Sequence, residues 1–250
     1  MDYGVDSLGL YFLVGNYGPD RFYESSYSLG LVAISYAFAF FGSFVGLVIS
    51  QQIATAQSNW IKASWVAAGS IAMGGGIWSM HFVGMIAYVL PFEVGYDLNI
   101  TLLSAIPSIC ASAVVLLIIS RDHVGRWALL TGGVLTGAGI GVMHFFGMSA
   151  MRAETSMGYD PYLFGLSIVV AVLLACLALS AKFRLDSLKS RMASRWANAI
   201  GGAVMGLAIA GMHYTAMAAA KFFPGDLCMT PGNIVQSDLL AVIISLSTFI

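Results

Sequence analysis

Long apolar stretches alternate with short polar ones along almost the whole chain. Seven apolar runs stand out: Tyr27–Ser50, Ala63–Leu90, Asn99–Ile119, Trp127–Met151, Pro161–Lys182, Ala197–Ala220 and Asp238–Ile250. A helix of about 20 apolar residues crosses the hydrocarbon core of a bilayer. The pattern therefore predicts an all-α, polytopic membrane protein with seven transmembrane helices. The last run holds 13 residues and stops at Ile250 without a polar flank, so its helix is expected to continue in a longer natural protein. Leu8–Val14 is too short to span and has no basic residues before it, which excludes a signal peptide and leaves a short interfacial segment. The expected organisation is an extracytoplasmic segment over residues 1–26 and one membrane domain over residues 27–250.

Charge supports this picture and orients it. Only 9% of residues are charged, against about a quarter in soluble domains, so a water-facing surface cannot be built around one globule. With the N-terminus outside, the inner loops hold Lys62, Arg121, Arg126, Lys182, Arg184, Lys189, Arg191 and Arg195, eight of the eleven basic residues. Ten of the twelve acidic residues fall on the other side. The bias of Lys and Arg toward cytoplasmic loops then predicts an N-out, C-in arrangement. The basic loop between the fifth and sixth spans reads first as a topology signal beside anionic headgroups. Net charge is −1 and no basic cluster is interleaved with aromatics, so nucleic-acid binding is not expected. Cys110, Cys176 and Cys228 form no CxxC pair; the first two fall inside spans and read as packing residues.

The sharpest signal is an internal repeat. The second span contains Gly74-Gly75-Gly76-Ile77-Trp78-Ser79-Met80-His81-Phe82-Val83-Gly84-Met85. The fourth contains Gly137-Ala138-Gly139-Ile140-Gly141-Val142-Met143-His144-Phe145-Phe146-Gly147-Met148, and the sixth Gly206-Leu207-Ala208-Ile209-Ala210-Gly211-Met212-His213-Tyr214-Thr215-Ala216-Met217. The shared form is G-x-[GA]-I-x-x-M-H-[FY]-x-[GA]-M, which points to duplication of a two-helix unit. Trp127 precedes His144 by 17 residues, as Trp196 precedes His213. At 1.5 Å per residue each histidine stands roughly 26 Å from the inner face. All three are therefore expected at one level, in the outer part of the membrane. The recurring Gly and Ala allow close helix contact.

Ionisable side chains within a membrane are costly and normally face the bundle interior with a partner. Three histidines at one depth point to a shared centre, whereas His123 lies in a loop and is not part of the set. Met85, Met148 and Met217 follow the histidines by four residues, only ~40° away in azimuth. Met80, Met143 and Met212 precede them, ~100° away. The candidate metal ligands are thus His81, His144 and His213 with these six methionines. Imidazole with thioether, and no thiolate or carboxylate, suits copper best. Zinc more often recruits Cys or carboxylate, and haem with axial His or Met is a competitor. A buried polar knot of histidines with methionines as gap fillers is the bland alternative.

These residues resemble the MHYT domain, a bacterial integral-membrane sensory module named for a Met-His-Tyr-Thr motif. Met212-His213-Tyr214-Thr215 matches that motif in full, while Met80-His81-Phe82-Val83 and Met143-His144-Phe145-Phe146 keep Met-His and an aromatic. The resemblance implies a sensor in the bacterial cytoplasmic membrane for a diatomic gas (O₂, CO or NO) or redox state. It implies a bound metal proposed to be copper, held by His81, His144 and His213 with their preceding methionines. It also implies a fused cytoplasmic signalling domain, often one that makes or degrades cyclic di-GMP. Beyond the lipid bilayer, the gas and that domain, a homodimer is a further expected partner arrangement. Val83 and Phe146 lack the Thr hydroxyl, which puts any role of that position in doubt.

Two other function classes compete. A metal transporter would show ionisable residues inward of the histidine layer, and none is visible there. A membrane oxidase would need an acid/base pair beside the layer. Glu154 and Asp160 lie in the next outer loop and read as solvated, so no catalytic residue is expected in this domain.

Overall fold

The computed structural model describes residues 3–5, 11–13, 21–121, 124–187, 193–224 and 234–249, with side chains of 3–5, 184–195 and 245–249 excepted. His123, Cys228, Lys189, Arg191 and most of the N-terminal segment lie outside the described residues.

Among the described residues, eight helices follow the apolar pattern: α1 Leu29–Thr55, α2 Asn59–Ile86, α3 Leu98–Leu103, α4 Ala105–Ile119, α5 Arg126–Met148, α6 Pro161–Ser187, α7 Ala193–Ala219 and α8 Ser237–Phe249. Six helical stretches among the described residues are long and apolar enough to cross a membrane, with α3 and α4 counting as one over Leu98–Ile119. The seventh apolar run is helical as α8, but its 13 described residues are too few to count as a span, so six spans stand where seven were expected. The expected single third span breaks at Ser104. Pro107 explains the break: its ring has no N–H for the carbonyl of Leu103 and crowds it. Trp78 of α2 secures the bend, donating its indole N–H to the Thr101 carbonyl at 2.9 Å and lying 3.1 Å from Ser104 Oγ.

The six long stretches close into a ring in the order α1, α2, α4, α5, α6, α7 and back to α1. Alternate members α2, α5 and α7 also meet across the middle, and α8 packs outside against α2. The three central helices are the more buried ones, and they are the three that carry the repeat. The first glycine of each motif copy makes this ring possible. A Cβ on Gly74 would stand 2.7 Å from Ile109 Cα of α4; on Gly137, 2.8 Å from Val172 Cα of α6; on Gly206, 2.9 Å from Phe40 N of α1. Each motif helix thus touches one outer helix backbone to backbone, by the same residue of the repeat. Large apolar side chains such as Phe41, Ile71, Leu173 and Leu207 point outward, as a lipid-facing surface requires. Exposed Trp60, Trp127 and Trp196 mark the beginnings of α2, α5 and α7, where amphipathic indoles suit a membrane interface.

The all-α expectation needs one correction. Among the described residues, nine short strands cap the end of the bundle where the motif helices finish: β1 Tyr3–Val5, β2 Tyr11–Leu13, β3 Ser26–Tyr27, β4 Tyr88–Val89, β5 Gly95–Asp97, β6 Met151–Arg152, β7 Ser156–Tyr159, β8 Ala220–Phe223 and β9 Ile234–Gln236. They form a four-stranded sheet ordered β1-β2-β7-β8, a three-stranded sheet β6-β5-β9, and the pair β3-β4. Strands this short carry too little period-2 pattern to be read from sequence. Residues 11–13 of the expected interfacial segment belong to this cap. Cys110, expected to pack internally, is exposed on the outer face of α4. Cys176 is half-buried, with its Sγ in the notch left by Gly133.

Candidate metal centre

Helix periodicity brings one imidazole from each of α2, α5 and α7 to the bundle axis. His81, His144 and His213 are all fully buried. His81 Nδ1 lies 3.2 Å from His213 Nδ1 and 3.2 Å from His144 Nδ1. The rings meet edge to face, with centroids 4.8 Å apart for His81–His144 and 5.1 Å for the other two pairs. One ligand nitrogen from each can lie within 4.8 Å of the others.

This geometry fits a metal ion better than a hydrogen-bonded knot. A neutral imidazole nitrogen carries either one hydrogen or one lone pair. His81 Nδ1 therefore cannot satisfy both neighbours at once. Nδ1 lone pairs turned together repel unless a cation lies between them. Two nitrogens ~2.0–2.1 Å from a tetrahedral ion are about 3.3 Å apart, close to the 3.2 Å separations here. The outward-turned Nε2 atoms of His81 and His144 have no hydrogen-bond partner, and that of His213 faces the Gly84 backbone without bonding geometry.

What holds the rings is a second layer of the repeat. Each imidazole makes a T-shaped contact with the aromatic that follows it: Phe82 at 4.8 Å, Phe145 at 4.9 Å and Tyr214 at 4.9 Å. Each of these aromatics in turn meets a tyrosine of the strand cap. Phe82 lies 6.0 Å from Tyr96, Phe145 5.5 Å from Tyr159 and Tyr214 5.5 Å from Tyr27. Sequence reasoning missed this tyrosine layer, although a signal exists. Gly95-Tyr96-Asp97 and Gly158-Tyr159-Asp160 recur before α3 and α6. In both, the aspartate caps the helix, accepting from Asn99 and Ile100 N–H or from Tyr162 and Leu163 N–H. Asp160, expected to be merely solvated, is thus a capping residue. Burial pushes the phenols of Tyr96 and Tyr159 well above their ordinary pKa.

The small residue three positions after each histidine was also missed as part of the site. A Cβ on Gly84 would come within 2.4 Å of His213 Nε2, and one on Gly147 within 2.2 Å of His81 Nε2. Glycine on one motif helix therefore makes room for the imidazole of the next. The third copy has Ala216, fully buried.

All six candidate methionines are buried around the histidine layer. They do not share one role. Met85 reaches the wall of a cavity on the strand side, whereas Met212 lines a smaller cavity inward of the layer. Thr215 Oγ1 donates to the Gly211 carbonyl at 2.7 Å, within its own helix. Replacement of that hydroxyl by Val83 and Phe146 in the other copies thus costs the centre nothing. Tyr214 OH is 2.8 Å from Ser35 Oγ and ties α7 to α1.

Comparison with known proteins agrees with the repeated geometry. Residues 74–132, 137–195 and 206–250 each match MHYT, described as a bacterial signalling protein N terminal repeat. The chain belongs to the MHYT family. Each match begins at the first glycine of one motif copy. Among curated MHYT relatives, the bifunctional diguanylate cyclase/cyclic di-GMP phosphodiesterase MucR of Pseudomonas aeruginosa is 41% identical over 224 residues, covering 90% of this chain and 32% of the relative. The signaling protein YkoW of Bacillus subtilis is 36% identical over 197 residues, 79% of this chain and 24% of YkoW. The cyclic di-GMP phosphodiesterase NbdA of Pseudomonas aeruginosa is 33% identical over 222 residues, 87% of this chain and 28% of NbdA. The chain thus spans a third or less of these relatives. No solved structure matches it. MHYT is a sensory domain, and the enzymatic parts of the relatives lie beyond the matched region.

Proposed function

We propose that this MHYT domain is a membrane sensory input module that binds one metal ion, copper first, through His81, His144 and His213. The convergence of three buried Nδ1 atoms on the bundle axis carries this reading. Copper is favoured over zinc because, among the described residues, no thiolate or carboxylate joins the histidine group, and by the buried thioethers of the motif helices. Haem fits poorly, because imidazoles in mutual edge contact leave no slot for a porphyrin. When bound, copper supplies a redox-active position able to take a diatomic ligand such as O₂, CO or NO.

The chain's own residues would convert that event into a signal. The rings of His81 and His213 are each wedged between a glycine of a neighbouring motif helix and their own aromatic. A shift of one imidazole must therefore move α2, α5 and α7 together. Helix α2, which carries His81, packs on α8. In this reading α8 passes the shift to a fused cytoplasmic domain of cyclic di-GMP turnover, as the relatives' names suggest. The change has to come from different affinities for two helix arrangements. N-out orientation, location in the bacterial cytoplasmic membrane, and division at residues 26 and 27 belong to the same proposal.

Elemental analysis and an optical spectrum of protein purified without chelator test it. Near-stoichiometric copper without a Soret band is expected. His81→Ala, His144→Ala and His213→Ala should each lose most of the metal while remaining folded by circular dichroism. Full metal retention in all three variants would sink the assignment.

A further inference from the structure

The centre has very different surroundings toward the two ends of the bundle. Inward, Ile77, Ile140 and Ile209 stand four residues before the three histidines, one on each motif helix, and all are buried. All three line one cavity of about 30 Å³. None of the described residues lining it is ionisable, and its only polar side chains are Ser112 and Thr136. A hydrated cation moving that way would have to shed its water against hydrocarbon.

Toward the strand cap the picture reverses. A cavity of about 700 Å³ opens between the end of α2 and strands β4, β5, β6 and β9. Met85, one helical turn beyond His81, reaches its wall, and Met151 of β6 joins it there. Exposed Glu93, Glu154 and Asp238 also line it. The single cation among the described lining residues, Arg152, is turned to Asp97 at 3.5 Å.

We infer that this strand-side cavity is the path by which a soft metal cation reaches the three-histidine centre, passing inward over Met85. The inference rests on the metal centre proposed above. The order of ligands follows the chemistry of a soft ion losing its water. Exposed carboxylates at the mouth raise the local cation concentration through their field. A thioether then replaces water without a charge, and imidazole completes the transfer. The isoleucine ring inward of the histidines closes the opposite route.

Loading kinetics test it. Metal-free protein in proteoliposomes with the strand side outward is given Cu(I) as its acetonitrile complex, and uptake is stopped with an impermeant Cu(I) chelator. Val89 lines the cavity and is exposed. Val89→Cys carrying a bulky, impermeant methanethiosulfonate label should load about tenfold more slowly yet reach the same final copper content. Tyr162→Cys, on the same side but away from the cavity, should load at the parent rate with the same label. The labelled parent controls for the native cysteines. The surface triple variant Glu93→Gln, Glu154→Gln, Asp238→Asn should load more slowly and with weaker salt dependence. Parent-like rates in both the labelled Val89→Cys protein and the triple variant overturn the path. A parent that takes up no copper at any time overturns the centre itself, a failure seen in final content rather than in rate.

Discussion

Gly84 and Gly147 show how much a single residue decides in this centre. Each lies three positions after one histidine and leaves space for the ring of another. A methyl group there cannot fit without pushing the imidazole aside. Gly84→Ala and Gly147→Ala are therefore expected to weaken metal binding by about 10–100-fold, the range seen when groups that orient ligands are altered. Gly75 and Gly141, on the same two helices, face open space. Gly75→Ala and Gly141→Ala should leave affinity unchanged, and competition titration against a chelator of known affinity separates the pairs. The small residue was visible in the repeat as [GA], but its purpose was not. Spacing along one helix says nothing about which side chain of another helix fills the gap. The same holds for the methionines: the four-residue offset of Met85 predicted a face shared with histidine but not that it reaches the strand-side cavity, and the place of Met212 just before His213 did not say that it lines the inward one.

For the helices, the controlling contacts are backbone to backbone. Gly76 lies against Gly42 so closely that a Cβ on Gly76 would stand 2.8 Å from Gly42 Cα, and one on Gly137 would stand equally near Val172 Cα. Neither neighbour can yield, since main-chain atoms cannot rotate away. Gly76→Ala and Gly137→Ala are expected to destabilise by about 1–3 kcal/mol through overpacking. Gly141→Ala, with nothing near its new methyl, should instead stabilise by about 0.5–1 kcal/mol through helix propensity. Thermal unfolding in a single detergent compares all three. The six spanning stretches were legible because twenty-residue apolar runs leave few alternatives in a bilayer. The break at Ser104 depends on Pro107 and was in principle readable too. The strands were not, because two to four residues carry no usable period.

Over the whole molecule, the strand cap and the helical ring are joined through Tyr96 and Tyr159, buried beneath the sheets against Phe82 and Phe145. Burial raises both phenols above the ordinary value of 10.0. The sign of the linkage follows. Below that value both folded and unfolded chains hold the proton, and the contribution is constant. Above it the unfolded chain ionises while the folded one does not, so stability falls as pH rises. Denaturation midpoints in detergent should be flat up to about pH 10 and then drop, and the drop should shrink in Tyr96→Phe and in Tyr159→Phe. An unchanged alkaline slope in both variants would argue against their burial.

The sequence by itself determined that the chain offers long apolar helices fit for a membrane, six of the seven expected being long enough to cross one, and which three of them carry histidine. Those features follow from local constraints: apolar length, charge, and a fixed rise per residue. Only the tertiary structure decided that the three motif helices alternate around a closed ring and aim their imidazoles at one axis. It alone decided that glycines of one copy seat the rings of another, and that a cap of short strands finishes the site. Those outcomes depend on contacts between residues far apart in the chain, where close packing selects one arrangement among many that the same hydrophobic pattern allows.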